Sequence, residues 1–166
     1  DRIVVDCVES WNKGKIVEIR SPKATRPWQH VLEPLSGYLN LAQALYKNNN
    51  LNGEGFNFGP KAEQNKSVSC LIEDLSKYWN FKNAIDAYKI TDSISFHEAG
   101  LLKLNCDKAL FHFKWQATME YEDTIRFTGE WYYLFYNDSC NIFDKTLKQI
   151  SEYESIAEAK NLLWTV

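Results

Sequence analysis

Two arginines, Arg20 and Arg26, stand at the ends of a short loop, "RSPKATRP", in which Pro22 and Pro27 bar regular structure. An arginine held beside proline stays out of a helix or strand interior, and its planar guanidinium fork matches a pair of phosphate oxygens. Two such groups converging on one cavity suit a diphosphate better than a single carboxylate; the alternative is a pair of solvated surface cations. Downstream, His30 has only Glu33 within one helical turn, too sparse a set for a metal face, so it is either a general base or a histidine that holds the loop. His97 and Glu98 form a second polar pair in an extended stretch beside an apolar run, where a part-buried imidazole can reach a ligand. His112, between Phe111 and Phe113, fits a packed or boundary position. None of the three histidines makes a Ser-His-Asp or Cys-His arrangement. Asn57, flanked by Phe56 and Phe58, turns its amide away from the apolar faces if that stretch is a strand, which leaves it for a ligand or for tying a loop. The stripe "EWYYLFY" puts aromatics at helical spacing, a core or interface pattern before it is a base-stacking platform.

What must position these residues is one domain. A chain of 166 residues with 45% hydrophobic and 25% charged side chains buries a real core and falls outside disordered compositions. A net charge of −3 supplies no basic field for nucleic acid and no polybasic patch for an anionic membrane. Cys7, Cys70, Cys106 and Cys140 are far apart, without a CxxC pair or a Cys/His cluster, and are expected to be buried free thiols. No apolar run approaches a membrane span, and no secretory leader pattern opens the chain, so a cytoplasmic protein is expected. "DRIVVDCVESW" opens directly on a helix pattern without an initiator methionine, so a piece of something longer is expected.

Apolar periodicity predicts a helix over 3–11, stopped by "NKG", and a strand over 15–19. "WQHVL" suits a short strand or an extended approach to a helix over 34–47, whose first turn accommodates Pro34 and whose Leu35, Tyr38, Leu39, Ala42 and Leu45 share a face. "FNFGP" suggests a short buried strand, Ser67 the cap of a helix over 68–79, and "AIDAYKI" another strand. "HEAGLLKLN" runs extended to Asn105, the expected N-cap of a short helix over 106–113. Thr118 is expected to open a long helix through Tyr136, with a further helix around 143–154. Helices therefore outnumber strands, and a large independent sheet is not expected.

"DRIVVD", "VEIRSPKATRPWQHVLEPLSGYLNLAQALY", "FNFGP", "HEAGLLKLNCDKA" and "EWYYLFY" occur in the order, and at about the spacing, of the C-terminal part of the CDP-sugar dehydratases. These are sugar-nucleotide enzymes of the extended short-chain dehydrogenase/reductase family. The resemblance covers nearly the whole chain and weakens after about residue 137; the Arg-Pro-Trp-Gln-His-Val form is its specific part.

The resemblance implies an α/β protein: the C-terminal portion of an NAD-binding Rossmann-type fold, seen here as a mainly helical substrate-binding lobe over residues 1–166 with a few short strands. The helix over 34–47 would pack on the Rossmann domain. It implies conversion of CDP-glucose to CDP-4-keto-6-deoxyglucose, in which a hydride passes from C4 to NAD, water leaves across C5 and C6, and the hydride returns at C6. The glycine-rich turn and the Tyr-x-x-x-Lys helix which that chemistry requires have no counterpart here in a plausible setting, so NAD and catalysis are expected in a preceding N-terminal half. This chain would then be inactive alone.

By the same resemblance Arg26 grips the diphosphate, Arg20 meets the nucleotide or its phosphates, Trp28 packs beneath, and His30 holds the loop. Arg2, Asn57, His97 and Glu98 are further substrate-binding candidates. The expected partner is CDP-glucose or a related nucleotide sugar, with no nucleic acid, no membrane, and a homo-oligomer in the intact enzyme. A related epimerase or reductase, and a non-catalytic association domain built on the aromatic helix, are the alternatives. Two positions depart from the family pattern. Val5 replaces a proline at a helix start, and Lys114 replaces a glycine; if that glycine is a left-handed cap, the lysine costs about 1 kcal/mol.

Overall fold

The computed structural model describes residues 2–47, 49–91, 101–138 and 141–165. The elements run α1 (Ile3–Asn12), β1 (Val17–Ile19), β2 (Thr25–Arg26), α2 (Leu32–Lys47), β3 (Lys66–Ser67), α3 (Val68–Ser76), β4 (Tyr88–Ile90), α4 (Asp107–Phe113), α5 (Tyr121–Asn137) and α6 (Ile142–Ala159), with short 3-10 turns between some of them. Helices outnumber strands among the described residues, as predicted, and the four strands there pair as β1 with β4 and β2 with β3. The chain divides into two compact units, the first built from residues 1–26, 66–102 and 125–143, the second from 27–65, 103–124 and 144–166.

In the first unit α1 buries Cys7, Val8 and Trp11, one face of a helical turn. Trp11 donates its indole N–H to the Ala87 carbonyl at 2.9 Å and packs its ring against Trp79 and Phe81. Gly14, at φ +66°, carries the chain out of α1 into β1, which pairs in parallel with β4. Val17 and Ile19 point inward while Glu18 faces out to meet Lys89 at 3.1 Å, the alternation of a half-buried strand. Helix α3 buries Leu71, Ile72, Leu75 and Ser76, and Ser67 caps it by accepting the Cys70 N–H at 3.1 Å. It ends at Ser76, short of the predicted Trp79, because Tyr78 and Trp79 turn back onto the carbonyls of Leu75 and Ser76.

In the second unit Phe58, Ala109, Trp115 and Ala117 form a buried cluster, with Leu41, Phe56, Phe113 and Trp164 against it. Gly37 lets α2 approach this cluster: a Cβ there would sit 2.3 Å from the Phe58 ring. Helix α6 buries Gln149, Tyr153 and Ala157 at four-residue spacing.

Several local expectations are corrected. "FNFGP" lies in no strand; the Phe58 carbonyl accepts the Gln29 side-chain amide at 3.1 Å, so this backbone is satisfied by a side chain and not by a ladder. "WQHVL" is not a strand either, and α2 starts at Leu32, two residues ahead of Pro34, with the Glu33 N–H on the His30 carbonyl. Of "AIDAYKI", only Tyr88–Ile90 is strand, after a 3-10 turn over Ala84–Ala87. Helix α4 starts one residue later than predicted, so its N-cap is Cys106 and not Asn105, which sits one residue ahead and accepts the Asp107 N–H at 2.9 Å. Helix α5 begins at Tyr121 and not at Thr118, and α6 extends beyond the predicted 143–154 at both ends. Cys7 is buried, Cys70 and Cys106 are only partly so, all three are free thiols, and Cys140 lies outside the described residues.

Candidate functional site

The arginine loop of the first unit is built onto the start of α3. Its Ala24 carbonyl accepts the Val68 N–H at 2.9 Å, its Pro22 carbonyl accepts the Ser69 N–H at 3.0 Å, and the Ala24 N–H closes a turn on the Ser21 carbonyl. Strands β2 and β3 pair antiparallel, with Thr25 opposite Ser67 and Arg26 opposite Lys66. Leu101 adds a parallel bridge to Thr25. Arg26 is thus fixed on a ladder, half-buried, with one guanidinium N–H on the Thr25 carbonyl at 2.8 Å. Arg20 is exposed just past β1, and Arg2 is exposed at the N-cap of α1, where its carbonyl accepts the Asp6 N–H. Such a frame can present cationic forks to an anion without first ordering the backbone.

Of the candidates in the second unit, Trp28 and His30 are half-buried. His30 Nδ1 accepts the Leu32 N–H at 3.4 Å at the start of α2, and burial pushes the imidazole down to about 4. A neutral ring with Nδ1 used as an acceptor holds the loop; it is not poised as a base. Asn57 is exposed and donates its side-chain amide to the Asn105 carbonyl at 3.2 Å, which ties two loops together. His97 and Glu98 lie outside the described residues. His112 is exposed, with its ring edge-on to Phe56 and Phe111.

Sequence reasoning missed Glu33. Its side chain is 1% exposed, and both oxygens accept the Thr118 N–H at 3.0 Å, with the Met119 N–H and the Tyr153 hydroxyl as further donors. Burial raises the Glu33 carboxyl above its ordinary value, against the downward pull of those hydrogen bonds and of Lys160. Ser36 extends the network, accepting the indole N–H of Trp115 at 3.0 Å, with its Oγ 2.9 Å from the Tyr153 hydroxyl oxygen. This carboxylate satisfies the Thr118 and Met119 N–H groups of the segment that leads into α5.

The pieces for a redox step on a sugar are missing from this set. The one Tyr-x-x-x-Lys spacing in the sequence is Tyr78 to Lys82, and both lie beyond the end of α3, Tyr78 packed against Gly129 and Lys82 exposed. The glycines, at 14, 37, 53, 55, 59, 100 and 129, nowhere take the G-x-x-G-x-x-G spacing of a dinucleotide-binding turn. Among the described residues no His, Cys, Asp and Glu group could hold a metal ion, and no helix is long and apolar enough to cross a membrane.

This chain is similar to a known nucleotide-sugar dehydratase. Over 133 residues, 80% of this chain, it is 38% identical to CDP-glucose 4,6-dehydratase of Salmonella typhimurium, which bears out the resemblance carried by the arginine-loop block. The chain spans 36% of the length of that relative. No protein-family model matches it.

Proposed function

We propose that this chain is the CDP-sugar-binding part of a CDP-glucose 4,6-dehydratase, a lyase of the extended short-chain dehydrogenase/reductase family. The observation that carries this is the 38% identity over 80% of the chain. In this reading the NAD-binding Rossmann sheet and the catalytic residues belong to the part of the relative that this chain does not span. The exposed face of α2, with Leu35, Tyr38 and Leu39, packs on that sheet. Dehydration then needs both parts, and this chain contributes the nucleotide wall.

Within the wall, Arg26 takes the diphosphate and Arg20 the nucleotide side, both presented by the loop docked on α3. Arg2, Asn57, His97 and Glu98 complete the approach.

Titration of the protein with CDP, UDP and dTDP tests the reading. Preference for CDP by about tenfold, or about 1.4 kcal/mol, is the expected result, and Arg26→Met weakens all three nucleotides, because the diphosphate is common to them. Preference for UDP or dTDP transfers the chain to a related epimerase or reductase. No binding of any of the three sinks the assignment.

A further inference from the structure

Asn52 and Gly53 form the one Asn-Gly pair of the sequence, in the loop "NNNLNGEG" that follows α2. After a 3-10 turn over Asn49–Leu51, the Glu54 N–H closes on the Leu51 carbonyl at 3.2 Å, which makes Asn52 and Gly53 the two central residues of a tight turn. Gly53 stands third in that turn at φ +82°, a conformation open to glycine and strained for any side chain. A Cβ built on it would meet nothing within 4 Å. Both residues are exposed, and among the described residues no hydrogen bond engages the Asn52 side-chain amide or the Gly53 N–H.

An asparagine Cγ and the backbone nitrogen of the next residue close a five-membered ring when that nitrogen is accessible, deprotonated and unhindered. Burial, a hydrogen bond on the nitrogen, or a side chain on the following residue each opposes the closure. None of the three operates at Asn52. Asn57 and Asn105, by contrast, commit their side-chain amides to the Asn105 carbonyl and the Asp107 carboxylate, and are followed by Phe58 and Cys106.

We propose that Asn52 is a site of spontaneous deamidation, with water as the co-reactant. The Gly53 nitrogen attacks Asn52 Cγ and forms the new C–N bond of a succinimide. The Cγ–Nδ2 bond breaks, and ammonia leaves with the proton that Gly53 gives up. Water then opens the imide at either carbonyl carbon. Opening at Cγ yields aspartate in a normal backbone; opening at the main-chain carbonyl breaks the original Asn52–Gly53 peptide bond and yields isoaspartate, with the chain running through Cγ. Either product sets a new carboxylate two residues from Glu54, whose own carboxylate holds Lys108 at 2.6 Å, and isoaspartate adds a methylene to the backbone inside the turn.

The test is ageing of the folded protein in mildly alkaline buffer, then cleavage at lysine and mass analysis of the peptide 48–61, in which Asn50 and Asn57 serve as internal references. The expected result is exchange of NH2 for OH at Asn52, as a mixture of isoaspartate and aspartate, faster at higher pH, while Asn50 and Asn57 remain amides. Gly53→Ala should slow the conversion by about tenfold or more, because a methyl group crowds the attacking nitrogen and disfavours the positive φ. The same comparison in urea should keep the Gly53→Ala chain slower than wild type, so it does not depend on how well the variant folds. An intact Asn52 in the folded protein, with conversion only in urea, overturns the proposal, since the turn then protects the pair. Earlier conversion of another asparagine in the folded chain, or an unchanged rate in Gly53→Ala, overturns it as well.

Discussion

Glu33 holds the backbone N–H of Thr118 on both carboxylate oxygens at 3.0 Å, across 85 residues of chain. Removing that acceptor leaves buried N–H groups of Thr118 and Met119 without a partner, so Glu33→Ala should destabilise the protein by about 2–4 kcal/mol. Glu33→Gln keeps one acceptor oxygen and should lose less. Urea unfolding of the three proteins checks the order.

The same residue fixes a pH dependence. Its folded-state carboxyl lies above its unfolded value because burial disfavours the charge. Between the two values the folded protein holds a proton that the unfolded chain has lost, so this contribution is full below about 4.5 and declines as pH rises through the folded value. The unfolding midpoint of wild type minus that of Glu33→Gln should therefore fall with rising pH. A flat or rising difference contradicts the account.

His30 gives the opposite sign. Its folded value of about 4 lies below the ordinary 6.5, so its contribution is present above 6.5 and is lost as pH falls towards 4. The imidazole resonances of His30 should stay in their neutral positions from pH 8 down to about pH 5.5. Titration near 6.5 would show that the ring is solvated and not holding the start of α2.

How much of this was legible follows from the distance over which each feature is determined. Helix α1, strand β1 and the body of α6 rest on local periodicity, and Cys7, Trp11, Val17 and Ile19 fall inward as it predicts. "FNFGP" has the composition of a strand, but its backbone partner is the Gln29 side chain, which no period encodes. That the Thr118 and Met119 N–H groups are held by Glu33, far upstream, could not be read from Thr118 and its neighbours. Within the site, Arg20 and Arg26 were legible as residue types beside prolines. The position of Lys66 opposite Arg26 is a matter of strand register between distant segments, invisible in either alone.

Lys114 was legible in both respects. It ends α4 at φ 58° and ψ 21°, the left-handed cap conformation that glycine adopts without strain. Its ammonium reaches the Phe111 carbonyl at 3.3 Å from an exposed position, a contact of little worth. Lys114→Gly should stabilise the protein by about 1 kcal/mol, seen as a raised midpoint at unchanged denaturant slope.

The exposed face of α2 supports one more expectation. Leu35 is 46% exposed, Leu39 73% and Tyr46 93%, a stripe at four- and seven-residue steps along one side of the helix. Exposed apolar area of this kind binds a hydrophobic dye without loosening the Phe58 and Trp115 cluster beneath. We therefore expect dye fluorescence with this chain under native conditions and a marked drop in Leu39→Glu, whose unfolding midpoint should stay within about 0.5 kcal/mol of wild type. Because Gly37 faces the opposite way, onto the Phe58 ring, Gly37→Ala should behave inversely, keeping the stripe but losing about 1–3 kcal/mol to overpacking. If Leu39→Glu unfolds the protein instead, that face is covered by the chain itself and cannot be where a nucleotide-binding sheet docks.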